Sequence, residues 1–211
     1  MADGKRKALI ASKISEYFKG DFVNNHIADV EKNRVDKRPR TLPDPSSLVV
    51  GAHQWCMSIH NRKIVAARLA DLKPDIDRCE CFEDIYATIG HRLSDGAGLM
   101  NGVGALTLYD ISLRVAFLSE RDGRTGLLPC RYVYLHRGAL SGFINIYGKK
   151  TLYDAERLNK NGWRMPIEFF SGYFKDIPAM DIEDILCVMF HKFNAEQPSA
   201  CNRQRQGCYR I

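Results

Sequence analysis

Apolar residues recur at helical spacing along most of this chain. Ile10, Ile14, Tyr17 and Phe18 mark one face of an N-terminal helix, with Ser12 or Ser15 available near a cap. Asp44-Pro45-Ser46-Ser47 reads as a helix start. Val49, Ala52, Trp55, Cys56, Ile59, Val65 and Leu69 continue it to Leu72, as one long helix or two broken near Asn61. After a connector at 73–78, Phe82, Ile85, Ile89 and Leu93 form an amphipathic stripe that the glycines from Gly96 onward end. Leu108, Ile111, Val115 and Leu118 form another, and the Asp-Gly and Thr-Gly steps of 120–126 make a turn. Pro166 opens an aromatic helix through Ile167, Phe169, Phe170, Tyr173 and Phe174. Asp181 caps a last helix through Ile185, Leu186, Met189 and Phe190. Only Tyr132-Val133-Tyr134-Leu135 stays two-sided. It suits either a strand or a helix begun by Pro129 and running through His136 to Leu140.

These elements predict an all-α fold: a compact globule of about seven or eight helices joined by short connectors. A single domain is expected over residues 1–195, with a loose polar tail at 196–211. Periodicity nominates Trp55, Ile59, Ile85, Ile89, Leu108, Ile111, Phe170 and Leu186 for the core.

Composition agrees with a globular chain, since 45% of the 211 residues are hydrophobic and 27% charged. The cysteines number seven, an odd count at irregular spacings, which argues against a secreted disulfide framework. No apolar run approaches the roughly 20 residues that span a bilayer, and Ala8-Leu9-Ile10-Ala11 is too short for a signal-peptide core. A cytoplasmic location with no membrane partner is the expectation.

The net charge of +6 is unevenly spread. Residues 121–175 carry ten basic and four acidic side chains, whereas 81–120 carry two and five. Within the basic block, Arg131, Arg137, Lys149, Lys150, Arg157, Lys160 and Arg164 are interleaved with Tyr134, His136 and Tyr153. Cations neutralise phosphates and tyrosines stack on unpaired bases, so this stretch is a candidate nucleic-acid surface.

The most informative segment lies between two helical patterns: Leu99-Met100-Asn101-Gly102-Val103-Gly104-Ala105-Leu106-Thr107-Leu108. It resembles the helix-hairpin-helix motif of DNA-binding and DNA-repair proteins over about residues 83–113. Gly102-Val103-Gly104 matches the Gly-apolar-Gly hairpin, and Leu108 and Ile111 fill the two following apolar positions. Asn101 stands where proline is common, Ala105 and Leu106 where lysine or arginine often follows, and Leu108 where alanine is usual. The resemblance implies phosphate binding at Gly102, Val103, Gly104 and Thr107, through amides backed by the helix dipole. The catalytic aspartate and lysine of the glycosylase members find no counterparts, since Asp122 lies in a turn of different character and Leu106 replaces the lysine.

Other chemistry is thin. Cys187 and His191 share a helix face and, with Cys201 and Cys208, would make a tetrahedral zinc set, but the spacing fits no zinc module and a buried thiol is the preferred reading. No nucleophile elbow or Walker loop is present, and neither a metal nor a cofactor is expected. The expected function is a non-catalytic nucleic-acid-binding protein, for duplex DNA above other forms, using the hairpin and the basic surface. The alternatives are a helical protein-interaction module and a divergent nucleic-acid-processing enzyme, so enzymatic activity is left open.

Overall fold

The computed structural model describes residues 3–19, 59–159 and 161–192. Its contacts group into two compact units, Met1–Val23 with Arg131–Ile211, and Asn24–Cys130. The architecture is mixed α/β, which corrects the all-α expectation. Helices are joined by a three-stranded antiparallel sheet of order β1-β3-β2, made of Tyr132–His136 (β1), Glu156–Asn159 (β2) and Gly162–Pro166 (β3).

The sheet escaped the sequence pattern for physical reasons. β1 is buried on both faces, so its apolar run lacks the period-two alternation of a half-exposed strand. β2 is a short edge strand whose first two residues, Glu156 and Arg157, are exposed, and it offers no apolar stripe at all. β3 holds the centre by pairing Val133 with Met165 and Leu135 with Trp163 on one side, and Arg157 with Trp163 on the other. Of the two readings open at Tyr132–Leu135 the strand is the one that forms, and the helix that follows, α6, begins only at Arg137, immediately after it.

In this first unit α1 is Asp3–Lys19, α6 is Arg137–Tyr147 and α7 is Ala179–Ile185. Two 3₁₀ turns, Lys149–Asp154 and Ile167–Gly172, and a π turn, Leu186–Phe190, complete it. The aromatic helix expected after Pro166 is thus a 3₁₀ turn. α7 starts at Ala179 after Pro178, so Asp181 falls in its first turn and is not its cap. Ile10 of α1, Val133 and Leu135 of β1, Phe143 of α6, Phe170, Ile182 and Phe190 share one core. α6 and the π turn meet almost backbone to backbone. A Cβ at Gly142 would lie 2.1 Å from the Leu186 carbonyl oxygen, and one at Gly138 2.4 Å from Cys187 Sγ. Asn145 Nδ2 then donates to the Phe190 and His191 carbonyls at 2.8 and 3.2 Å, closing the C-terminal end of the helix. α1 is tied in by Arg6, which donates to the Ile146 carbonyl, and by Tyr17, whose hydroxyl donates to Asp184 Oδ2 at 2.9 Å.

The second unit contains α2 (Ile59–Arg68), α3 (Lys73–Ile76), α4 (Phe82–Arg92) and α5 (Ala105–Arg121). Pro74 suits the first turn of α3, and Arg124 donates to the Ile76 carbonyl at 2.5 Å and to that of Cys79, holding the chain behind this helix. Asp84 caps the start of α4 by accepting the Glu80 and Cys81 amides at 2.9 and 3.3 Å. Phe82 packs edge-on against Tyr109, ring centroids 5.8 Å apart, and joins α4 to α5. α5 is buried nearly all round, and even its Asp110 and Arg114, one turn apart, are 0% and 2% exposed. Both are engaged with partners. Of the nominated core, Ile85, Ile89, Leu108, Ile111, Phe170 and Leu186 are buried. The side chains of Trp55 and Ile59, the start of the predicted 48–72 helix and the 196–211 tail lie outside the described residues.

Two stability predictions follow from this packing. Gly142→Ala gains about 1 kcal/mol of helix propensity, but its methyl must displace the Leu186 backbone at a cost of about 3 kcal/mol. A net loss of about 2 kcal/mol is expected in urea unfolding. Ser141→Ala, on the exposed side of the same helix, should be neutral, and equal behaviour of the two variants would show that the close contact is unimportant.

Burial first, and then the charge of Asp184, hold the Tyr17 phenol well above its usual titration range. A raised folded pKa means that the stabilisation is present below pH about 10, where an unfolded phenol titrates, and is lost above it. Tyr17→Phe should cost about 1–3 kcal/mol at neutral pH by removing a donor from buried Asp184. The deficit relative to wild type should shrink as the pH is raised past about 10. A deficit independent of pH would place the effect of Tyr17 in its ring alone.

Candidate functional site

The Gly-Val-Gly segment lies in the loop between α4 and α5, and its shape follows from its residues. Ser94 and Leu99 bridge as a short antiparallel pair, and the Met100 amide donates to the Leu93 carbonyl at 2.9 Å. The chain then turns through Met100-Asn101-Gly102-Val103, closed by the Val103 amide on the Met100 carbonyl at 3.0 Å. Gly102 has φ +87°, the left-handed value that the third position of a type II turn requires and that glycine adopts without strain. Met100 and Val103 are buried as apolar pegs, while Asn101 and Gly104 are exposed and Gly102 is partly so.

Gly104 is the N-cap of α5, with extended backbone and nothing within 4 Å of where its Cβ would stand. No side chain caps the helix, and no acidic residue occupies its first turn. The first amide bond inside α5 runs from Leu108 to the Gly104 carbonyl at 3.0 Å. The amides ahead of it are the positive end of a 17-residue helix. Thr107 is 5% exposed, so its hydroxyl does not face the surface. Arg68 reaches the base of this loop, donating to the Ser94 carbonyl. Sequence reasoning missed Arg68, because a contact 26 residues apart leaves no mark in local periodicity.

The basic candidates belong to the first unit, and the fold sorts them. Arg131, Arg137, Lys149, Lys150 and Arg157 are exposed. Arg137 also has φ +37°, at the junction where β1 passes directly into α6. Arg164 is partly buried, pairs with Glu156 at 2.8 Å and covers the Tyr132 ring at 4.3 Å from its centroid. Lys160 lies outside the described residues. The aromatic and histidine candidates separate more sharply. Tyr134 and His136 are 1% and 2% exposed and unavailable to a base, whereas Tyr153 is 89% exposed.

His136 instead faces Glu183 of α7, Nε2 to Oε1 at 3.7 Å, and both are enclosed. Forty-seven residues separate the two in sequence, and no local signal predicts their meeting. Beside Glu183, the Asp181 carboxyl is pushed above its usual range by burial and by the neighbouring charge of Asp184. This cluster ties α7 to β1 and α1. His136, Glu183 and Asp184 present no surface to a substrate.

Nor does a nucleophile emerge among the described residues. An open groove of about 720 Å³ is lined by Asp75, Arg78, Cys79, Asp84, His91 and Arg92. Its ions neutralise one another, with Arg92 Nε on Asp75 Oδ2 at 2.9 Å. Burial pushes the Cys79 thiol up, away from the reactive thiolate. Cys187 packs against Gly138, and burial followed by the charge of Lys192 holds the His191 imidazole below its usual range. Cys201 and Cys208 lie outside the described residues. Among the described ones no three potential ligands gather around a metal position. No family model matches the chain, and no curated protein or solved structure matches it.

The packing of Cys187 leads to a metal prediction. Tag-free protein should carry far less than about one zinc per chain, because a thiol seated in the α6 contact is poorly placed to ligate. Stoichiometric zinc whose chelation unfolds the protein would overturn this.

Proposed function

We propose that this chain is a nucleic-acid-binding protein with no chemical step of its own, holding duplex phosphates at the start of α5. The observation that carries the reading is the exposed Gly104 at the uncapped start of α5, reached through the Gly102 turn. Helix amides there favour an anion, and the missing cap and missing first-turn acid leave the position open to one. The resemblance of this segment to the helix-hairpin-helix motif supports the same ligand. The exposed Arg131, Arg137, Lys149, Lys150 and Arg157 of the first unit supply a second set of phosphate partners. Such contacts position a duplex without reading its sequence. Among the described residues no helix is long and apolar enough to cross a membrane. We place the protein in the cytoplasm because its odd, irregular cysteines suit a reducing compartment.

A substitution at Gly104 separates binding from folding. Gly104→Asp fits the extended backbone and the empty space at Cβ, and aspartate is a favoured N-cap. Its carboxylate would occupy the amides and repel a phosphate. Thermal stability should hold or rise slightly, while affinity for a duplex at about 50 mM salt falls about tenfold, uniformly across sequences. Unchanged affinity in Gly104→Asp would reduce the glycines to a structural turn. Failure of the wild-type protein to bind duplex at low salt would remove the nucleic-acid reading altogether.

A further inference from the structure

Among the described residues two large apolar side chains are exposed, Phe18 at 56% and Tyr153 at 89%. Phe18 has a ring partner, edge-on to Tyr17 with centroids 5.1 Å apart. Tyr153 makes no ring contact or hydrogen bond with any described residue. Yet the turn that carries it is well fixed. Thr151 Oγ1 donates to the Tyr147 carbonyl at 2.7 Å, the Ala155 amide donates to Leu152 at 3.2 Å, and Leu152 packs against the core. The fold therefore holds this ring in water on a rigid support.

In a 3₁₀ turn residues three apart eclipse, so Lys149–Asp154 has three faces. Lys149 lies above Leu152, Thr151 above Asp154, and Lys150 above Tyr153. An exposed ring thus shares its face with an exposed lysine that forms no ion pair among the described residues. We propose that this face binds an unpaired nucleotide of a single strand, its base stacked on Tyr153 and its phosphate on Lys150. The inference rests on the nucleic-acid reading above and adds a second element to it, one that needs bases free of a duplex. Stacking requires a flat π surface and the phosphate a nearby cation, and both are present. A flat anionic membrane fits less well, because Asp154 and Glu156 are exposed on the same segment and would meet it too.

Fluorescence anisotropy with the full chain tests this, using an oligothymidine strand, a duplex of equal length and an abasic strand with the same phosphates. Tyr153→Ala should weaken oligothymidine binding about tenfold, and Tyr153→Phe, which keeps the ring, should not. Duplex and abasic strand should bind Tyr153→Ala and wild type alike. Equal loss on the abasic strand, or no loss on oligothymidine, overturns the stacking role. If Lys149→Glu with Lys150→Glu still weakens all three ligands in that case, the phosphate reading survives alone. Absence of binding to any strand by the wild type overturns both. Tyr153-dependent binding to phosphatidylserine vesicles without strand binding would assign the face to a membrane.

Discussion

The close approach of α6 to the Leu186–Phe190 turn is the constraint on which the first unit depends. Gly138 and Gly142 lie four residues apart, on one helical face, and the absence of their side chains lets two backbones meet where a methyl would collide. That proximity brings α6 within reach of the final carbonyls, which Asn145 closes. It also fixes where α7 must lie, and so carries Glu183 to His136 and Asp184 to Tyr17. Remove the two glycines and the partners of β1 and α1 are displaced together. Packing of this kind is intolerant because interiors are dense and do not deform smoothly.

The buried polar contacts that follow are products of the fold and do not drive it. His136 and Glu183, 3.7 Å apart in a sealed site, both give up hydration on burial, so their meeting adds little net stability. Their effect is on uniqueness: a shift of α7 along β1 would leave each group buried without the other. The same logic covers α5, where Asp110 and Arg114 lie inside among apolar neighbours and are engaged. Ionisable residues in such positions invite a catalytic reading, but enclosure here argues for the fold.

What could be read in the sequence depended on how each element is buried. α1, α4 and α5 were legible because their apolar positions repeat at helical spacing, and Ile85, Ile89, Leu108 and Ile111 are buried as that spacing requires. β1 was ambiguous because a strand buried on both faces erases its own period. β2 and β3 were invisible because pairing within the sheet, β1 with β3 and β3 with β2, decides them, and no property of Glu-Arg-Leu-Asn announces a strand. The glycine turn was legible as a turn because glycine adopts a positive φ, +87° at Gly102, without strain. Which tyrosine of the basic stretch would face water was not legible. Tyr134 and Tyr153 have the same chemistry, and tertiary packing alone buries one and presents the other.

The two proposed contact elements share a property that constrains the kind of recognition they support. Helix amides at Gly104 would address phosphate oxygens, which are the same at every nucleotide. A tyrosine ring stacks on any base, since every base has a π face. Neither offers a donor or acceptor pattern to a base edge, and direct readout of sequence needs that pattern. The exposed Arg131, Arg137 and Arg157 would have to supply it, yet Arg157 already covers the Trp163 ring at 5.8 Å and donates to the Asn159 carbonyl at 3.3 Å. Under the proposed reading, discrimination by these elements would therefore fall between paired and unpaired strands, through access to a base face, and not between one sequence and another. Affinity built in this way is dominated by counterion release and declines steeply with salt.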